Sequence, residues 1–140
     1  MEDRGFRLLP GALDAAAQAG LVAEIEAALQ AAPPYRPITP GGQPMSVRMT
    51  NLGPLGWTTD AGGYRYAARH PVTGQPWPRI PEGLLALWTE ITGAPAPPDA
   101  CLVNLYGPEA RMGLHRDADE ADFAFPVLSV SLGDTAIFRL

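Results

Sequence analysis

His115 and Asp117 stand two residues apart in the stretch LHRDADE, Leu114 to Glu120. On an extended strand that spacing projects an imidazole and a carboxylate from the same face, where both can converge on one ion. Non-haem iron sites of the two-histidine, one-carboxylate kind use such a pair, add a second histidine, and keep other positions open for oxygen and a co-substrate. The other histidine, His70, lies upstream in ARHPVTG, before a proline and among turn-forming residues. It is read as an exposed loop residue and not as the missing ligand. Taken alone, the pair is common enough by chance that a surface histidine in an acidic turn is the competing reading.

Other side chains give the pair a context. Asn104 and Tyr106, in VNLYGPEARMGLHRD, are two apart on a preceding strand and share a face. If that strand pairs with the one carrying His115, an amide and a phenol can hydrogen-bond an acid bound beside a metal; otherwise Tyr106 is a half-buried strand aromatic. Trp57 and Tyr64 lie in the glycine-rich segment GPLGWTTDAGGYRY. Aromatic faces on such loops stack on nucleobases at about 1–3 kcal/mol per base, with neighbouring arginines on phosphates. The alternative there is a small satellite core under a long loop. Trp77 and Trp88 read as packing residues. Asp119 sits in the acidic run DADEAD, either a solvated turn or an acceptor for an exocyclic amine. No Walker-type glycine loop, CxxC pair or nucleophile elbow occurs.

These residues need elements to position them. Asp14 is a good N-cap for a helix over residues 13–32, with Leu21, Ile25 and Leu29 on one face and Pro33-Pro34 ending it. From Pro37 to Pro81 short alternating stretches, among them Met45–Met49 and Tyr64–Tyr66, read as strands joined by glycine turns. A second helix starts at Pro81, taken as its first residue, with Leu84, Leu87, Trp88 and Ile91 on one face, and stops at Gly93. Cys101–Leu105, Pro126–Leu132 and Ala136–Leu140 have strand composition. Helices backing a mostly antiparallel sheet make an α+β domain. A strand at Ala136–Leu140 would leave an unpaired edge.

At 140 residues one domain is expected. The single cysteine, Cys101, excludes an internal disulfide, and neither a secretory signal nor a run of about twenty apolar residues is evident, so a cytoplasmic protein without a membrane span is expected. A net charge of −5 argues against a simple electrostatic nucleic-acid binder. Locally, however, Arg36, Arg48, Arg65, Arg69 and Arg79 face one acid, Asp60, between residues 36 and 79, so a local basic surface is expected.

From about Thr39 onward the chain resembles the AlkB family of iron- and 2-oxoglutarate-dependent dioxygenases. TPGGQPMSVRMTNLGPLGW, GYRY, QPWP, PDACLVNLYGPEA, LHRDADE and PVLSVSLG occur in that family's order, while the first forty residues carry less of the likeness. The resemblance implies N-terminal helices, a nucleotide-recognition lid over residues 39–80 and the start of a double-stranded β-helix, or jelly-roll, core over residues 100–140. It implies that His115 and Asp117 are iron ligands, that Asn104 and Tyr106 contact 2-oxoglutarate, and that Trp57 and Tyr64 hold the damaged base and its phosphate, with Asp119 near the base's exocyclic edge. The implied chemistry is oxidative decarboxylation of 2-oxoglutarate by O2 to succinate and CO2, with hydroxylation of an N-methyl carbon, which leaves as formaldehyde. The implied substrates are 1-methyladenine and 3-methylcytosine, flipped or single-stranded, in DNA or RNA, and the implied state is a monomer. The family's second histidine and its 2-oxoglutarate-binding arginines have no match in the 140 residues. The chain is therefore expected to be a C-terminally incomplete AlkB-like domain, the N-terminal part of an active demethylase; the alternative is an inactive homologue kept as a nucleic-acid-binding or interaction module.

Overall fold

A computed structural model describes residues 2–3, 5–115 and 124–140. Its elements run β1 (Glu2–Asp3), β2 (Phe6–Arg7), α1 (Ala15–Leu29), β3 (Arg48–Leu52), β4 (Gly56–Asp60), β5 (Gly63–Ala67), α2 (Glu82–Thr92) and β6 (Cys101–Leu105).

Local signals set both helices. Asp14 is extended and its Oδ1 accepts from Ala17 N at 2.8 Å, which satisfies one of the N–H groups that the first turn leaves unpaired. Leu21 is buried, with Ile25 and Leu29 half-buried on the same face, as the spacing predicts. The helix stops at Leu29, a few residues before the prolines. In α2, Pro81 is the N-cap and not the first helical residue, since its ψ of 145° is extended. With no side chain of its own to cap α2, Pro81 leaves that role to α1, whose Glu24 Oε2 accepts from Gly83 N at 3.3 Å. A carboxylate is favourable at a helix N-terminus. At the other end Gly93 takes a φ of 64°, the left-handed cap that glycine reaches without a Cβ penalty, and Arg7 Nη2 donates to Ile91 O at 3.0 Å.

The strands form three antiparallel pairs: β1 with β2, β3 with β6, and β4 with β5. In the central pair Arg48 lies opposite Leu105 and Leu52 opposite Cys101. Tyr35 adds to the far side of β3 by exchanging backbone bonds with Met49 at 2.9 and 2.7 Å. Val47, Met49, Thr50, Asn51 and Leu52 are all but sealed from solvent, and with Trp77, Ile80 and Trp88 they make the core. Gly56 lets Trp77 close on the hairpin: a Cβ there would stand 2.4 Å from the indole. Trp77 Nε1 also donates to Ala67 O at 2.8 Å.

Several expectations are corrected. The strand expected at Met45–Met49 begins at Arg48 and runs to Leu52. Pro126–Leu132 and Ala136–Leu140 form no strand. Strand composition supplies propensity only; a strand also needs a hydrogen-bonding partner, and among the described residues these segments join no ladder. Phe138 instead sits edge-on to Phe6, with centroids 6.0 Å apart. Among the described residues, then, two helices and small antiparallel pairs form, compatible with part of an α+β fold and without a complete jelly roll. No helix among them is long and apolar enough to cross a membrane. His70 is not in an exposed loop: it is buried, with its ring between those of Tyr35 and Trp77 at 5.0 and 5.1 Å.

Candidate functional site

The β4–β5 hairpin turns at Ala61–Gly62, and its register sets Trp57 opposite Tyr66, Thr58 opposite Arg65 and Thr59 opposite Tyr64. Opposed residues share a face and alternate along each strand. One face therefore carries Trp57, Thr59, Tyr64 and Tyr66, and the other carries Thr58, Asp60 and Arg65. Trp57 and Tyr64 meet diagonally and stack, with centroids 5.5 Å apart and planes inclined by 22°. Tyr64 is more than half exposed. The two residues singled out from the sequence are thus brought together as one aromatic surface.

That surface is held from behind. Asn51 on β3 is fully buried; its Nδ2 donates to Trp57 O and its Oδ1 accepts from Trp57 N, both at 2.9 Å. Asn51 was missed from sequence. The available signal was an amide between Met49 and Leu52 on a strand that becomes buried, where a polar side chain has to find partners.

The arginines behave differently from expectation. Arg65 points to the face opposite the stack and forms a two-pronged bond with Asp60, Nη2 to Oδ2 at 2.6 Å and Nη1 to Oδ1 at 2.9 Å. That guanidinium, helped by Gly62 N–H, holds the Asp60 carboxyl at about 2 against an ordinary 3.8. Arg36 Nε donates to Met45 O at 2.6 Å and Arg69 Nη1 to Gly74 O at 3.0 Å. Much of the positive charge in the segment is engaged in holding turns and the hairpin.

Asn104 and Tyr106 are both exposed along β6 and just past its end. Partial desolvation of the Tyr106 phenol, whose side chain is otherwise exposed, raises it above its ordinary value, so near neutral pH it keeps its proton and can donate. Burial likewise raises the Cys101 thiol. The strand beside β6 is β3, with Met49 opposite Asn104, and not the segment carrying His115. That segment is irregular, tied back where Ser46 Oγ donates to Arg111 O at 2.9 Å and accepts from Arg111 N at 3.0 Å.

His115 is exposed, and its Nδ1 lies 2.8 Å from Gly113 O. A carbonyl only accepts, so Nδ1 carries a proton, and in the neutral ring the lone pair belongs to Nε2. This is the arrangement by which a backbone carbonyl fixes the tautomer of a metal-binding histidine, so His115 fits a metal ligand. Asp117 and Asp119 lie outside the described residues. Among those described, no group of three or more His, Cys, Asp or Glu stands together to hold a metal. His70 has both ring nitrogens engaged: Nε2 with Pro33 O at 2.8 Å, and Nδ1 accepting from Val72 N and Thr73 N at 3.1 and 3.3 Å. It is a structural pin.

With this geometry in place, comparison with known proteins sets the class: the chain belongs to the 2OG-Fe(II) oxygenase superfamily, whose family model matches residues 5–140. Within it, the chain is 59% identical over 136 residues to the alpha-ketoglutarate-dependent dioxygenase AlkB homolog of Caulobacter vibrioides, covering 97% of this chain and 62% of that protein. It is 46% identical over 123 residues to the alpha-ketoglutarate-dependent dioxygenase AlkB of Escherichia coli, covering 85% of this chain and 57% of that protein. A more distant relative is the DNA N(6)-methyladenine demethylase ALKBH1C of Arabidopsis thaliana, 35% identical over 107 residues, covering 60% of this chain and 24% of that protein. The chain thus spans roughly three-fifths of the bacterial relatives.

Proposed function

We propose that the protein represented by this chain is a cytoplasmic AlkB-type dioxygenase that removes N-alkyl groups, such as those of 1-methyladenine and 3-methylcytosine, from single-stranded or damaged DNA, with RNA as a further substrate. The observation that carries the reading is the stacked Trp57–Tyr64 pair, set on one face of a hairpin and more than half exposed at Tyr64. Such a surface suits a nucleobase extruded from its stack. The rings already touch, so a base takes an outer face of the pair and not the space between them. The dioxygenase and demethylase names of the relatives favour an enzyme over a binding-only module.

In this reading residues 39–80 are the lid that presents the base and residues 100–140 begin the jelly-roll core. Asp119 accepts a hydrogen bond from the base's exocyclic amine. Asn104 and the protonated phenol of Tyr106 donate to 2-oxoglutarate, and His115 and Asp117 ligate Fe(II). Together Fe(II), 2-oxoglutarate and O2 supply the oxidising chemistry that hydroxylates an N-methyl carbon, released as formaldehyde. His115 contributes Nε2, with Gly113 O keeping the ring proton on Nδ1. The test is to supply the protein with Fe(II), 2-oxoglutarate, air and a single-stranded oligonucleotide bearing one 3-methylcytosine. Formaldehyde and demethylated oligonucleotide are expected, and His115→Ala is expected to abolish both. Absence of methyl loss in the iron-supplied protein, or full turnover in His115→Ala, overturns the reading.

A further inference from the structure

Within β4, Trp57 is the residue whose backbone N–H and C=O are both taken by one side chain, that of Asn51. N–H and C=O of one strand residue point to the same side. These two point away from β5, along the edge of β4 that the hairpin ladder leaves unpaired. Asn51 closes that edge at the position where the aromatic surface begins. Its own main chain is fixed elsewhere: it lies opposite Leu102 in the β3–β6 pair, two residues from Asn104. A single fully buried amide thus joins the strand pair that carries Asn104 to the residue that carries the stacked indole, bridging the short link over residues 53–55.

We propose that Asn51 is a positioning residue: by clamping the backbone of Trp57 it sets the indole at a fixed distance from Asn104 and Tyr106, and so tunes affinity for a nucleobase that it does not touch. The proposal rests on the reading that Trp57 receives the base. The physical reason is pre-organisation. The link is itself tied, Gly53 N to Pro78 O at 2.7 Å and Leu55 N to Asp99 O at 3.0 Å, so what Asn51 adds is to fix the Trp57 backbone and its indole before the ligand arrives; an indole that must be ordered at that moment weakens binding by up to about tenfold. A buried amide whose only task was to satisfy β4 would lower stability when removed and leave the affinity of the folded protein as it was.

The experiment titrates a labelled single-stranded oligonucleotide containing one 3-methylcytosine with the full chain, at a temperature well below every variant's melting midpoint. The proteins are wild type, Trp57→Ala, Asn51→Ala and the double variant. Asn51→Ala is expected to bind about tenfold more weakly and to cost nothing further in the Trp57→Ala background, because a residue that acts through the indole has nothing to position once the indole is gone. If Asn51→Ala does not fold, Asn51→Ser takes its place: it is neutral and smaller, its one short hydroxyl cannot reach both Trp57 N–H and Trp57 O, and a loss in the same direction is expected. Weakened binding in Trp57→Ala beside wild-type binding in the Asn51 variant overturns the positioning role alone, as does an additive loss in the double variant. Unchanged affinity in Trp57→Ala overturns the assignment of the base to Trp57, and the role of Asn51 with it.

Discussion

The β3–β5 region and the segment 124–140 are both rich in residues that favour extended backbone, and they end in opposite states. Met49 and Leu52 are buried to within 1%, while Val127 and Ile137 are 74% and 86% exposed. The difference lies in what stands beside each. β3 has β6 on one side and Tyr35 on the other, and β4 has β5, Asn51 and the indole of Trp77. Residues 126–132 and 136–140 have side chains of the right kind and no ladder. Burial follows the partner, because a lone strand leaves its N–H and C=O groups to water and gains little apolar contact. Substitutions should therefore hurt the first region far more than the second.

The largest effect is expected at Trp77. Removing its ring by Trp77→Ala empties the space against Gly56 and strands Ala67 O, and a loss of about 3–5 kcal/mol is the usual range for such a truncation. Urea unfolding of the purified chain measures it; a loss below about 1 kcal/mol would mean that the hairpin is not packed on the indole. Next comes His70→Ala, which leaves Pro33 O, Val72 N and Thr73 N without their buried partner. At about 1–3 kcal/mol for each buried group left unsatisfied, discounted for those that water reaches, about 2–4 kcal/mol is expected in the same assay.

How much of this was legible in the sequence divides along the same line. Local chemistry was readable: Asp14 caps α1, Gly93 ends α2, and the period of two puts Asn104 and Tyr106 on one face. The Asp-Ala-Gly-Gly turn fixed the hairpin register, and with it the meeting of Trp57 and Tyr64. What could not be read was pairing at a distance. Nothing near His70 announces that Pro33, 37 residues away, accepts from its ring, and nothing near β6 announces that its neighbour is β3. Of the proposed metal pair, His115 is exposed with Nδ1 against Gly113 O, and Asp117 lies outside the described residues.

A smaller effect is expected from the exposed Asp60–Arg65 pair. Asp60 titrates at about 2, below its ordinary 3.8, so the folded state favours the carboxylate. The stabilisation is complete above about pH 4 and is lost as pH falls through about 2. Arg65→Ala removes the main cause, and NMR titration of the Asp60 carboxyl is expected to find its midpoint raised toward 3.8, with Gly62 N–H still holding it below. An unmoved midpoint would assign the depression to Gly62 N–H instead. At neutral pH the thermal midpoint should change little, because screening by solvent and salt makes exposed pairs weak.

The smallest effect, and the sharpest test of the comparison, is expected at Val127. Val127→Ala removes two methyl groups from a side chain that already faces water, so stability should stay within about 0.5 kcal/mol of wild type. The same change at a buried valine such as Val47 removes methyls from a packed interior, at a cost on the order of 1–3 kcal/mol. Urea unfolding of Val127→Ala and Val47→Ala, side by side, measures the gap directly. If both cost the same, residues 126–132 are packed in solution as tightly as β3, and exposure in this segment no longer separates the two regions. If the gap is present, identical side chains differ in value because one is sealed in the interior beside β3 and the other faces water.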